Sequence, residues 1–493
     1  MSIFHFCRPY FALHRLLFLT YILIGLSSLG IAFLSPLMLG NFIDLLVEGG
    51  EISSLVRFSL LFSVLNLVGL LLSYLHSSIY VRLQMSVAYR LSQKVVSHLQ
   101  QVSLSFINQQ DKAYLSQRIN GDGNELVIFY ISSLQGLLSN TLLVVIPIML
   151  LLQLHATMAI IFVASIACYG IIYIFLKKPM HQTAYKLKES QNTFFSRFHK
   201  QFQDMSLIKL KSLGADYISE VDASFLEVKK RAIKNNNLGY VVTGLDNTIK
   251  TLAHVLLFVL GGWQILNGNF SIGMFTIFSA YFSMILNGIR YFFNFGMSYQ
   301  QATVALERLS ALLAVEVEPN GETTLGAIRQ IHIENVALPN MLDTFCAVFK
   351  KGKLYLITGE NGSGKTTLLH LLMGMYINER TGVVLFNDQP TEILDMIQLR
   401  REQIAFVEQM PQQTAEYQAE KRKSGGEMQL TVIKAELAKS ASVVILDEPT
   451  SALDTANSEE LLALLANLKK ECIVIVVSHD ERLRTIADEV VRL

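Results

Sequence analysis

The sequence predicts a multi-domain chain: an all-α polytopic membrane domain over residues 1–312, then an α/β domain over residues 325–493. Three observations carry this. Of 493 residues, 51% are hydrophobic and only 16% charged, too apolar for a soluble chain of this length. Long uncharged runs fill the N-terminal part. After Arg308 the pattern changes to short β-branched runs alternating with helical stretches, which is α/β patterning.

Six membrane spans are expected. No charged side chain stands between Arg15 and Asp44, and a bilayer needs roughly 20 apolar residues. The run is too long for a signal-peptide core, and Pro36 predicts a kink toward its outer end. A second run lies between Arg57 and Arg82. From Glu125 to Lys177 the only Asp, Glu, Lys, Arg or His inside is His155, so two spans fit there with a turn near Gln153–Thr157. A fifth starts near Gly239 and a sixth ends near Ser298, with Asn267-Gly268-Asn269 as the turn between them.

Basic residues set the orientation. Arg82, Arg90, Lys94 and Arg118 fall between spans two and three, and Lys177, Lys186, Lys229 and Arg231 between spans four and five. Positive connections stay inside, which predicts a multi-pass protein of the cell membrane with both termini and the C-terminal domain cytoplasmic. The inner connections Arg82–Val102 and Lys186–Lys234 mix apolar and charged residues at helical spacing, so spans two to five continue as helices beyond the lipid. Their tips are Ser105–Asp122 and Gln203–Asp216.

A net charge of +1 gives no basic excess for nucleic acid. Cys7, Cys168, Cys346 and Cys472 are scattered, with no CxxC pair, and read as buried thiols. No HExxH or ligand-like histidine cluster stands out, and all histidines but one read as structural or surface residues.

The chemistry lies in the C-terminal domain. The strand-like run Leu354–Thr358 leads into Gly359-Glu360-Asn361-Gly362-Ser363-Gly364-Lys365-Thr366-Thr367, and an apolar helix through Met373 follows. Strand, glycine loop and helix form the context of a phosphate-binding loop. Glycines let backbone N–H groups close around phosphates, the helix N-terminus adds positive potential, Lys365 reaches the terminal phosphates and Thr366 coordinates Mg²⁺. The apolar run Val443–Leu446 ends at Asp447-Glu448, with Asp447 placed to hold hydrated Mg²⁺ and Glu448 to act as general base. Ile473–Val477 ends at Ser478-His479, bringing His479, the histidine set apart, to the same sheet edge. ATP with Mg²⁺ is the expected ligand.

Gly359–Thr366, Gln409, Ser424-Gly425-Gly426, Val443–Glu448, Ser451–Asp454 and His479 together resemble the ordered motif set of ATP-binding cassette transporters. The membrane part resembles the six-helix exporter half-transporters of that family. Leu104-Ser105-Phe106 through Arg118 and Asp122 looks like their first coupling segment, Ser206–Leu210 through Gly214 like the second, and Gln300–Arg308 like the end of their sixth helix. The resemblance implies an α/β P-loop ATPase domain working in a dimer. Each nucleotide is then sandwiched between the phosphate loop of one chain and Ser424, Gly425, Gly426 and Glu427 of the other. Gln409 senses Mg²⁺ and the γ-phosphate, and Asp454 lines the dimer seam.

Three departures from the family are visible. Gln409 and Ser424 stand 15 positions apart, so the helical subdomain is shortened. The signature reads Lys423-Ser424-Gly425-Gly426-Glu427, with Glu427 bringing negative charge near a γ-phosphate. No aromatic residue precedes the loop at Asn335–Pro339 to stack on adenine, leaving Leu338 or Met341 for that place. A slow ATPase follows, in either a homodimer or a heterodimer with a second half-transporter. Inside the spans Asp246, Lys250 and Arg290 mark a possible substrate cavity. With span one starting at Arg15, no N-terminal cysteine protease domain is expected. The resemblance runs toward exporters of small bacterial peptides or amphipathic compounds. A lipid or multidrug exporter, or a non-transporting ATP-binding switch for immunity, is the alternative.

Overall fold

The computed structural model describes residues 2–110, 112–360, 362–409, 425–451 and 453–493. Some helical side chains, including 161–174, Asp246 and 425–429, also fall outside the description. The chain divides into two compact units, Met1–Lys94 with Gln117–Ala311, and Val95–Ser116 with Leu312–Leu493.

The first part of the chain is helical throughout. In order come α1 (Ile3–Ala12), α2 (Arg15–Val47), α3 (Ile52–Leu99), α4 (Leu104–Gln109), α5 (Lys112–Leu154), α6 (Ala156–Gln203), α7 (Met205–Lys211), α8 (Gly214–Leu266) and α9 (Ile272–Leu313). Among the described residues, α2, α3, α5, α8 and α9 are long and apolar enough to cross a bilayer. The fourth expected span falls on α6, helical over 48 residues. At 1.5 Å per residue, the 48 residues of α3 and 53 of α8 extend about 70–80 Å, more than twice a hydrocarbon core of roughly 30 Å. The expected extension of the spans beyond the lipid is therefore present.

Leu23, Leu60, Leu70 and Trp263 point outward and exposed, as lipid-facing side chains do. Phe278, Tyr281, Phe282 and Leu286 of α9 bury against Leu151 of α5 and Leu257 of α8. Asp44, which bounds the first uncharged run, caps α9: Ser271 Oγ donates to Asp44 Oδ2 at 2.6 Å and Gly273 N–H to Oδ1 at 2.7 Å. The turn at Asn267–Asn269 is present, with Gly268 at φ 73°.

The second unit holds two sheets, built from β1 (Gln330–Leu338), β2 (Leu342–Lys350), β3 (Leu354–Thr358), β4 (Thr381–Phe386), β5 (Gln389–Pro390), β6 (Ile404–Val407), β7 (Val443–Asp447), β8 (Ile473–Val477) and β9 (Glu489–Arg492). A five-stranded parallel sheet runs β6-β7-β8-β3-β9, and an antiparallel sheet runs β2-β1-β4-β5. The helices are α10 (Lys365–Leu372), α11 (Met396–Glu402), α12 (Gly425–Leu437) and α13 (Thr455–Leu468). The strands β7 and β8 are buried at every position, as both faces of a parallel sheet are covered. One face packs Tyr355, Ile357, Ile445 and Ile475 against Leu368 and Leu372 of α10. The other packs Leu356, Val444 and Val476 against Ile433 of α12 and Leu461 of α13. Cys7 and Cys472 are buried as expected; Cys346 is exposed, because its place on β2 turns it away from the core.

Candidate functional site

The strands β7, β8 and β3 are neighbours in the parallel sheet, so the loops leaving their carboxyl ends converge. Asp447 pairs with Val477 in register, which sets Glu448 beside His479. The chain then turns sharply. Glu448 N–H donates to Val477 O at 2.8 Å, and Glu448 sits at φ 48°, a left-handed conformation that a carboxylate residue adopts at a cost of order 1–3 kcal/mol. Its carboxylate is largely shielded, and His479 Nε2 stands 3.7 Å from Glu448 Oε1.

From β3 the chain wraps into α10 through Gly364 at φ 93°, where a Cβ would lie 2.6 Å from Met341 O. Only glycine fits there. Lys365 Nζ donates to Gly359 O at 2.9 Å and Glu360 O at 3.0 Å. The Ser363 hydroxyl is buried without a hydrogen-bond partner, the kind of group a bound phosphate oxygen would satisfy. Thr366 Oγ1 donates to Asp447 Oδ2 at 3.0 Å. Burial pushes the Asp447 carboxyl above its usual range, against the opposing pull of the Thr366 hydroxyl and of His370 and Lys365.

Gly364, Lys365, Thr366, Asp447, Glu448 and His479 line one cavity of about 590 Å³, with Gly362, Thr367, Gln409, Asn340 and Met341 completing its wall. Thr366 and Asp447 are hard oxygen donors, a set suited to Mg²⁺. Met341, exposed on the β1–β2 turn, borders the cavity. Leu338 does not: it is buried in the core, sharing the inward face of β1 with Val336. The reading of Leu338 as a base-packing residue is thereby corrected.

Asn361 and Ser424 lie outside the described residues. Gly425 and Gly426 open α12, and the Glu427 side chain is outside the description. Asp454 is the N-cap of α13, accepting from Asn457 N–H at 2.8 Å, and is exposed. Lys250 on α8 and Arg290 on α9 are half-buried, and Asp246 falls outside the described side chains. His370, read from sequence as merely structural, sits one helical turn after Thr366. Burial lowers its pKa, while the charges of Glu408 and Asp447 raise it. The i, i+4 spacing from a site threonine is the signal that could have found it.

Residues 18–289 match the family described as the ABC transporter transmembrane region, and residues 342–423 match the family described as ABC transporter. The chain belongs to the ABC transporter family. A probable ABC transporter ATP-binding/permease protein of Haemophilus influenzae is 24% identical over 76% of this chain and 76% of its own. The lactococcin-G-processing and transport ATP-binding protein LagD of Lactococcus lactis is 23% identical over 52% of this chain; the match spans 44% of LagD. The structure of a bacterial Atm1-family ABC exporter with ATP bound superposes with a TM-score of 0.79 at 16% identity, covering 98% of this chain and 94% of that one. The transporter thus has the exporter fold: helical membrane spans followed by an α/β ATPase domain that binds ATP.

Proposed function

We propose that this ABC transporter exports a small peptide or amphipathic compound across the cytoplasmic membrane. Residues 1–312 serve as the translocating domain and 325–493 as a cytoplasmic motor. The carrying observation is that Lys365, Thr366, Asp447, Glu448 and His479 wall a single cavity. A pure scaffold has no use for a base beside a phosphate loop.

Lys365 leaves the carbonyls of Gly359 and Glu360 to bind the terminal phosphates of ATP, with the loop N–H groups and Ser363 beside it. Thr366 and Asp447, with Gln409 near them, would hold Mg²⁺, which neutralises phosphate charge when bound. Glu448 takes the proton of the attacking water as the water oxygen bonds to the γ-phosphorus and the bond to the ADP oxygen breaks. His479 keeps the Glu448 carboxylate turned toward that water. The Ser424-Gly425-Gly426 segment of a second copy, or its counterpart in a different half-transporter, closes the other side. The altered signature favours a heterodimer in which this chain supplies the stronger hydrolytic half.

The peptide reading is supported by the likeness to LagD, which processes and transports lactococcin G by its name, and by Lys250 and Arg290, which favour an acidic or anionic cargo. A non-transporting ATP-binding switch is favoured by the short Gln409–Ser424 interval. Uptake into inside-out vesicles separates the two. With pooled synthetic amphipathic peptides as probe, export predicts ATP-dependent accumulation that Lys365→Ala abolishes. Accumulation equal in the variant and the parent would leave the switch.

A further inference from the structure

The nucleotide cavity has one wall that hydrolysis does not use. Once the phosphates, the metal and the attacking water have their groups, Asn340 and Met341 are the lining residues left for the nucleoside end. Both stand on the turn that joins β1 to β2, where Leu338 pairs with Leu342 across the hairpin. Met341 N–H donates to Leu338 O at 3.1 Å, closing a turn over Leu338-Pro339-Asn340-Met341. Proline cannot take a positive φ, and Asn340 sits at φ 59°, so this is a type II turn with Pro339 at its second position and Asn340 at its third. Asparagine enters the left-handed region more readily than other residues with a Cβ. A Cβ on Gly364 would lie 2.6 Å from Met341 O and 2.9 Å from Leu342 Cδ1, so the hairpin rests directly on the phosphate loop. Asn340 is therefore held at a fixed distance from the phosphates.

Asn340 is exposed, and its side-chain amide has no hydrogen-bond partner among the described residues. An amide carries an acceptor and donors side by side and can present them in either order. An aromatic wall would hold a base by its face, and every base has a π-face. An amide meets the edge instead. Adenine offers a donor, N6–H, beside an acceptor, N1, while guanine offers an acceptor, O6, beside a donor, N1–H. Asn340 with Oδ1 toward N6 and Nδ2 toward N1 fits the first, and the same amide turned over fits the second. Met341, flexible and polarisable, packs on either ring. Neither group of this wall tells the two purines apart.

We infer that Asn340 holds the Watson–Crick edge of the nucleotide base, and that this motor takes ATP and GTP alike. The reaction is the same for both: water attacks the γ-phosphorus and the nucleoside diphosphate leaves, whichever purine it carries. Asn340 sets base specificity and touches no reacting atom. This inference rests on the assignment of the cavity to a nucleoside triphosphate. An ionised aspartate at this place has acceptors only. Its two oxygens match the N1–H and amino group of guanine and meet adenine N1 acceptor to acceptor, so Asn340→Asp turns an indifferent wall into one that prefers guanine.

The test uses the full chain, with its partner half if one copurifies, in lipid nanodiscs. ATP and GTP each displace a fluorescent ATP analogue, and the part of the signal that Lys365→Ala removes belongs to this chain's cavity. In the parent the two nucleotides are expected to compete within about threefold of each other, because one amide serves both edges. Asn340→Asp shifts the ratio toward GTP by about tenfold or more, the worth of a two-point edge contact. Asn340→Gly keeps the left-handed turn and removes the amide, so both nucleotides weaken by about two- to tenfold while their ratio stays near the parent's. A purely structural role for Asn340 leaves the ratio alike in all three. Should Asn340→Asp fail to fold, the parent ratio and Asn340→Gly decide. A parent that prefers ATP by about tenfold or more, an Asn340→Asp ratio equal to the parent's, or an Asn340→Gly that binds both nucleotides as tightly as the parent overturns the inference alone. A parent that binds neither nucleotide overturns the assignment of the cavity and the inference with it.

Discussion

Thr366 Oγ1 donates to Asp447 Oδ2 at 3.0 Å, joining the first turn of α10 to the end of β7. The bond only partly offsets the burial that raises the Asp447 carboxyl. A folded-state pKa above the unfolded one contributes stability below the unfolded pKa and loses it as pH rises through the folded pKa. Nucleotide-free Asp447→Asn escapes that loss. It is expected to melt higher than the parent at neutral pH, with the difference shrinking on acidification, while losing Mg²⁺-dependent ATP hydrolysis. Thermal unfolding across mildly acidic to neutral pH checks this; a variant that melts lower at neutral pH contradicts it.

His479 sits 3.7 Å from the Glu448 carboxylate. If it orients the base, His479→Ala lowers the maximal hydrolysis rate on the order of tenfold to a hundredfold, short of the loss from removing a general base. ATP affinity should change far less. Phosphate release measured against ATP concentration separates the two effects.

Met341 borders the cavity where an adenine-stacking aromatic residue is absent. Met341→Tyr is expected to tighten ATP binding by about two- to tenfold, the worth of an added aromatic stack of roughly 0.5–1.5 kcal/mol. Equilibrium binding of a fluorescent ATP analogue reads the change, and unaltered or weaker binding argues that the base lies elsewhere.

What could be read from sequence follows from how each element is buried. The strands β3, β6, β7 and β8 are continuous apolar runs because both faces of the parallel sheet are covered, and their ends carry Gly359, Asp447 and His479 in plain view. The antiparallel sheet was not legible. Its strand β1 alternates only over Gln330–Glu334; two register shifts against β2 then break the pattern before Val336 and Leu338, leaving too short a run to reveal it. The membrane spans were legible from uncharged length, but the Asp44 cap on α9 joins residues 227 and 229 positions apart, beyond any local pattern. The pairing of Glu318 with Gln101 and of Gly321 with Leu394 is hidden for the same reason: backbone groups make it, and any sequence carries those.

Asp454 accepts from Asn457 N–H as the N-cap of α13. Asp454→Ala is expected to cost about 1 kcal/mol of stability, and Asp454→Ser to recover it. If Asp454 also lines the dimer seam, Asp454→Ser still hydrolyses ATP more slowly than the parent. Equal rates would reduce its role to capping.

Glu448, beside the Gly359–Thr366 loop, is the proposed base for ATP hydrolysis. Phosphate release from the purified transporter in nanodiscs, with its partner half when mass measurement shows one, compares the parent with Glu448→Gln. The variant is expected to bind ATP while its rate falls to background, a loss on the order of a hundredfold or more. A variant that turns over ATP as fast as the parent would contradict it.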